Sequence, residues 1–248
     1  MPNLAAHMDL AHQAAQLLSH PTLEANTGYF LLGSTSPDIR IITHERREEY
    51  HFAPLDFDSI GAGTDGLFDS HPHLRASSDL DGPTRAFIAG YITHLIADET
   101  WITGMYRPYF GNREVFQDDA LGKVMDRALQ LELDRQGWDT VDATLGLVST
   151  ATDGINLGFI ASDTLAYWRE WVVELLSKGF SWNRLNFMAR RIAAGDEGHP
   201  AGNIATEFVQ AMPHSLERLY QLVPRRNLTD FRERTIASLA TAVGNYLP

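Results

Sequence analysis

One stretch constrains the fold more than any other. Residues 83–102, PTRAFIAGYITHLIADETWI, are predominantly apolar yet carry His94 and Asp98 in their midst. Proline in the first turn and apolar residues gathered on one face predict a helix from Pro83 to about Ile102. At 3.6 residues per turn, His94 and Asp98 leave that helix on the same side, about one turn apart. Ile92, Leu95, Ile96 and Ala97 surround them, so the helix is expected to be largely buried. A buried carboxylate is costly unless it is paired or bound to a metal. Spacing alone leaves two readings open: a His–Asp ion pair, or two ligands of one metal ion.

The rest of the chain reads as helices joined by turns. Leu4, Met8, Ala11, Ala15 and Leu18 recur every three or four residues, which predicts an amphipathic helix over residues 3–20 that stops at Pro21. A second short helix is predicted from Thr22 to Leu32, ended by Gly33. Residues 34–38, STSPD, carry turn chemistry: Pro37 disfavours helix at Ser36, and Asp38 stands at an element boundary where it can cap the next element or face a cleft. In IRIITHERREE, arginines alternate with glutamates as on a solvated helical face. Residues 54–83 are rich in Gly, Pro, Asp and Ser and predict a long irregular excursion, a kind of segment that is usually functional or mobile. From about Val115 to Tyr246 come four or five further helical patterns. Strand-like alternation is scarce, and no repeat or linker marks a boundary. The expected fold is therefore all-α, a single multi-helix domain over residues 1–248.

Composition narrows the chemistry. Apolar residues make up 44% and charged residues 21%, the balance of a packed protein. With no cysteine, disulfides, thiolate metal sites and cysteine nucleophiles are excluded, so any metal must be held by nitrogen and oxygen. A net charge of −12 disfavours extensive contact with nucleic acid or anionic membrane. No apolar run approaches the roughly 20 residues of a membrane span, and MPNLAAHMDLAHQAAQLL lacks the basic start of a signal peptide. A cytoplasmic protein is expected; nothing in the sequence sets its oligomeric state.

Ten histidines occur, eight of them within the first 94 residues. His7 lies on or beside the apolar stripe of the first helix, whereas His12, five positions on, points about 140° away, so His7 is the better ligand candidate. His51, in EEYHFAPL, stands where a charged stretch gives way to aromatic and apolar residues, which turns it inward. His44 could share its face if the segment is helical. His71 and His73 sit in the long excursion and could add ligands, and His20, His199 and His214 read as caps or surface residues. Neither an adjacent His-Asp pair nor the second histidine of an HExxH motif is present, which argues against two other classes of metal hydrolase.

Four segments together carry a resemblance: HMDLAHQAA from His7, FLLGSTSPDI from Phe30, YHFAPL from Tyr50 and AFIAGYITHLIADETW from Ala86. In order and approximate spacing they resemble the zinc-dependent phospholipase C family, whose fold is shared with P1-type zinc nucleases. The resemblance covers roughly the first 102 residues. It implies that Asp38, His51, His94 and Asp98 bind one zinc ion, that His7 binds a second with Asp98 bridging, and that Asp38 also serves as general base. Members of the family have an N-terminal tryptophan, a further histidine after the helix motif and a later HxxxE pair for a third ion. This chain begins Met1-Pro2 and has no histidine between His94 and His199, so one or two ions are expected. The nitrogen and oxygen ligands suit zinc and would also accept iron or manganese. The implied activity is hydrolysis of a small-molecule or lipid phosphoester by a metal-activated water, with Arg75, Arg85 or Arg107 available to steady the phosphate. The alternative is a non-catalytic helical ligand-binding protein with a structural or degenerate metal site.

Overall fold

A computed structural model describes residues 1–151 and 154–247. Its elements run, in chain order, α1 (Leu4–Leu18), α2 (Pro21–Ala25), α3 (Thr27–Gly33), α4 (Arg40–Thr43), α5 (Glu48–His51), α6 (Ala62–Ser70) and α7 (Gly82–Trp101). Then come α8 (Asp119–Gln136), α9 (Trp138–Ser149), α10 (Ser162–Ser177), α11 (Arg184–Ala193), α12 (Ala201–Gln210), α13 (His214–Leu222) and α14 (Arg225–Tyr246). Among the described residues there is no strand, so the fold is all-α, as expected. None of these helices is long and apolar enough to cross a membrane.

The sequence pattern around residue 83 becomes α7, the central post of the molecule. Asp81 caps it by accepting from Thr84 N at 2.7 Å, Pro83 occupies the first turn, and past Trp101 the chain continues as a wider π-helical wind over Ile102–Phe110. Nearly every α7 side chain is buried, because α1, α2, α3, α6 and α14 pack around it. A helix enclosed on all sides needs no polar face, and α7 has scarcely any. Apolar side chains from Leu4 to Leu247 join it in one continuous buried cluster.

The tightest packing is between α3 and α7, where two glycines face each other's backbone. A Cβ on Gly33 would strike the carbonyl oxygen of Phe87, and one on Gly90 would strike that of Phe30. The two helices approach as closely as they do because both positions lack a side chain. That approach carries the residue after α3, Ser34, up against His94.

Several boundaries differ from those the sequence predicts, each because a side chain binds backbone in a way periodicity does not reveal. The helix predicted over Thr22–Leu32 is two helices, broken where Asn26 turns its side chain back to Thr22 O at 2.9 Å. Pro21 opens α2 rather than only closing α1, and His20 caps it by accepting from Thr22 N. Asp38 lies within a 3-10 turn, Ser36–Ile39, and makes no side-chain cap on α4. The excursion at 54–83 is not irregular throughout: it contains α6 and two 3-10 turns. The Glu99 carboxylate, from α7, accepts from Gly61 N and Gly63 N at 2.5 and 2.6 Å and so takes up free amides at the start of α6. Downstream of Val115 there are seven helices, not four or five, because short helices such as α11, α12 and α13 blur into their neighbours when only the pattern is read.

α1 is likewise capped from a distance. Asn3 makes no side-chain cap; instead Asp134 of α8 accepts from Ala6 N at 2.9 Å and from Asn3 Nδ2 at 3.0 Å. Burial raises this carboxyl from 3.8 to about 7.

Two outcomes are expected. Gly90→Ala forces a methyl into the Phe30 carbonyl and should cost about 3 kcal/mol in chemical denaturation, the upper part of the overpacking range; a cost below about 1 kcal/mol would contradict the crossing. Because Asp134 binds its proton more tightly folded than unfolded, its contribution is fullest below 3.8 and is lost as pH rises to about 7. Between about pH 4 and about pH 8 the wild type should therefore lose on the order of 4 kcal/mol relative to Asp134→Asn. Parallel urea-denaturation profiles for the two proteins would refute this.

Candidate metal centre

Four elements converge on one buried point. α1 contributes His7, the end of α5 contributes His51, α7 contributes His94 and Asp98, and the 3-10 turn after α3 contributes Asp38. The Tyr91 hydroxyl donates to Tyr50 O at 2.5 Å, which fastens α5 to α7 beside His51. His7, His51, His94 and Asp98 are each 1–2% exposed, and Asp38 is half-buried.

Asp98 is the hub. Its Oδ1 lies 3.3 Å from His7 Nε2, and its Oδ2 lies 3.2 Å from His51 Nε2 and 3.7 Å from His94 Nε2. The His7 and His94 rings stack with centroids 3.7 Å apart, and His51 meets His94 edge-on at 5.3 Å. The outer ring nitrogens are held by backbone: His94 Nδ1 by Ser34 O at 2.9 Å, and His51 Nδ1 by Arg47 O at 3.3 Å. Each of these imidazoles, donating outward through Nδ1, turns the lone pair of Nε2 inward.

The inward atoms are left without hydrogen bonds. His7 Nε2, His51 Nε2, His94 Nε2 and Asp98 Oδ1 are all buried with no hydrogen bond of regular geometry, and what meets them is one another, at 3.3 Å for His7 and 3.2 Å for His51. Such orphaned atoms are rare and need a reason. Their donor atoms form two compact sets, His7–His94–Asp98 and Asp38–His51–His94, each within 4.8 Å. Either set could hold a metal ion, and the mixture of imidazole nitrogen and carboxylate oxygen is what zinc takes. This pairing differs from the one the resemblance implies: His7 stands with His94 and Asp98, and His94 is common to both sets.

Electrostatics reflects the packing. Burial, and next the adjacent His7, push His94 well below its ordinary value. Burial would raise the Asp98 carboxyl, but His94, His51 and His7 outweigh it and hold Asp98 well below the usual carboxylate range.

Sequence reasoning missed Arg47. The HERREE segment is not one solvated face: Arg46 is exposed and pairs with Glu49, whereas Arg47 turns inward and donates through NH2 to Asp98 Oδ2 at 3.2 Å. Its signal was the four-residue spacing to His51, which puts both on one side of a helical turn. The arginines singled out from sequence have other partners. Arg107 donates to Leu55 O and Phe57 O, Arg85 to Leu80 O, and Arg75 pairs with Asp69.

The remaining histidines stand outside both sets. His12 meets Gln16, His44 is an exposed left-handed residue ending α4, and His71 stacks on Phe159 with His73 edge-on to it. His199 caps Ala201 N, and His214 pairs with Glu217 at the surface.

Asp38 also lines a cleft of about 290 Å³ shared with Asp134, Arg184 and Arg191 and walled by Trp171, Phe187 and Met188. It is the one member of the cluster that borders this cleft.

No curated protein and no solved structure matches the chain. Residues 6–102 match the family model described as zinc dependent phospholipase C. The matched segment begins just before His7, ends just after α7, and contains Asp38, His51, His94 and Asp98. Over that segment, less than half of the chain, the sequence is similar to the zinc-dependent phospholipase C family.

Proposed function

We propose that the protein is a metal-dependent hydrolase that cleaves a phosphoester or phosphodiester, with His7, Asp38, His51, His94 and Asp98 as its metal-binding residues and Asp38 also as the proton acceptor. The observation that carries this reading is the convergence of four buried, unpartnered donor atoms on one point. The donors fit zinc, and iron or manganese would be accepted by the same ligand types.

When bound, the metal supplies Lewis acidity: it polarises a phosphoryl oxygen and makes a water nucleophilic near neutral pH. The chain's own residues do the rest. The Ser34 and Arg47 carbonyls fix the orientation of His94 and His51, so the site is formed before any substrate arrives. Asp38, on the border between the buried cluster and the cleft, takes a proton from the attacking water and passes it to the leaving oxygen once the P–O bond has broken, so that the product departs as an alcohol. The cleft's apolar walls and its two arginines suit an anionic phosphoester that carries an apolar group, as a lipid does.

Two measurements test this. Zinc in hundredfold excess over its dissociation constant should stabilise the fold by about 2.7 kcal/mol, a rise of roughly 5–10 °C in Tm for a protein of this size. Chelator should reverse it and His94→Ala should abolish it; a Tm indifferent to metal and chelator would sink the metal centre. Against a chromogenic phosphodiester, Asp38→Asn should lower turnover by roughly 10²–10⁴-fold, the range for a lost general base. Bound metal without any wild-type turnover would leave a binding protein instead.

A further inference from the structure

The donor atoms limit how many ions the cluster can hold. His94 Nδ1 is committed to the Ser34 carbonyl, so His94 has one free lone pair, on Nε2. A lone pair binds one ion. His94 belongs to both donor sets, so once an ion beside His7 takes this nitrogen, a second ion is left with Asp38, His51 and the other oxygen of Asp98.

Asp98 divides in the same way. Its Oδ1 faces His7 and has no hydrogen-bond partner. Its Oδ2 faces His51 and already accepts from Arg47 at 3.2 Å. The Arg47 side chain is only 12% exposed, and its NH1 is tied to Ala53 O at 3.1 Å, so the guanidinium is fixed against that oxygen. Arginine does not lose its proton at any working pH.

Charge limits the count as well. Imidazoles that bind a metal add no charge of their own, so Arg47 sets one positive charge against the two negative charges of Asp38 and Asp98. One divalent ion leaves the group with a single positive excess. A second would raise that excess to three in a largely buried space, where uncompensated charge is expensive.

We infer that the centre takes a single divalent ion, at His7, His94 and Asp98, and that Arg47 holds the electrostatic place of a second cation. This narrows the ligand set given above: Asp38 and His51 then hold no ion, and Asp38 borders the cleft. This inference rests on the metal-dependent reading and deepens it: Arg47 is a specificity-determining residue that sets the metal count.

The test is a count. The full-length protein is loaded with excess zinc, desalted, and its zinc measured by elemental analysis against chain concentration. We expect one zinc per chain in the wild type, one in Arg47→Lys, which keeps the charge, and two in Arg47→Met, which removes it. Two zinc ions in the wild type or in Arg47→Lys would overturn the inference, as would one in folded Arg47→Met. Should circular dichroism show that Arg47→Met does not fold, Arg47→Gln, which keeps a donor for Ala53 O, is counted in its place. No zinc in any of these proteins would overturn the metal-dependent reading itself, and so the two failures are distinct.

Discussion

Burying the Asp98 carboxylate would cost several kcal/mol if nothing met it. Everything around it answers that cost. Three imidazoles and one guanidinium approach its two oxygens, and each comes from a segment that must be placed to within a fraction of an ångström: α1 for His7, the turn at Arg47 and the end of α5 for His51, and α7 for His94. The carboxylate is thus the point at which otherwise separate pieces of the chain have to agree.

The fold is arranged to make that agreement stiff. Paired glycines let α3 and α7 touch backbone to backbone, which sets the Ser34 carbonyl on His94. α1 is clamped along its length by carboxylates that face other helices. Asp134 of α8 takes the amide of Ala6, while Asp9 of α1 accepts from Arg232 of α14 at 2.7 Å and from Thr140 of α9 at 2.7 Å. His7 lies between these two anchors. Among the described residues, the C-terminal half brings no side chain to the donor sets, yet it fixes the helix that carries His7 and supplies Trp171, Phe187 and Met188 to the cleft beside Asp38.

The cluster gathers imidazole nitrogens and carboxylate oxygens that could hold a metal ion. The rings of His94 and His51 are oriented inward by backbone carbonyls on their far sides, and such outer hydrogen bonds are how a metal-binding imidazole is held in place. Arg47 already offsets part of the negative charge.

The sequence by itself determined the features that depend on local periodicity and residue chemistry. A helix over Pro83–Ile102 with His94 and Asp98 a turn apart, the all-α class, the exclusion of thiolate chemistry and the inward turn of His51 all come from spacing and composition. So does the preference for His7 over His12, which depends only on the 3.6-residue repeat. Only the tertiary structure decided how those pieces are joined. The inward Arg47, the capping of α6 by Glu99 and of α1 by Asp134, the break at Asn26 and the sharing of His94 between two donor sets are contacts of side chains with distant backbone or with other elements. Such contacts leave no period in the sequence, because their partners are brought together by packing around α7 and not by their distance along the chain.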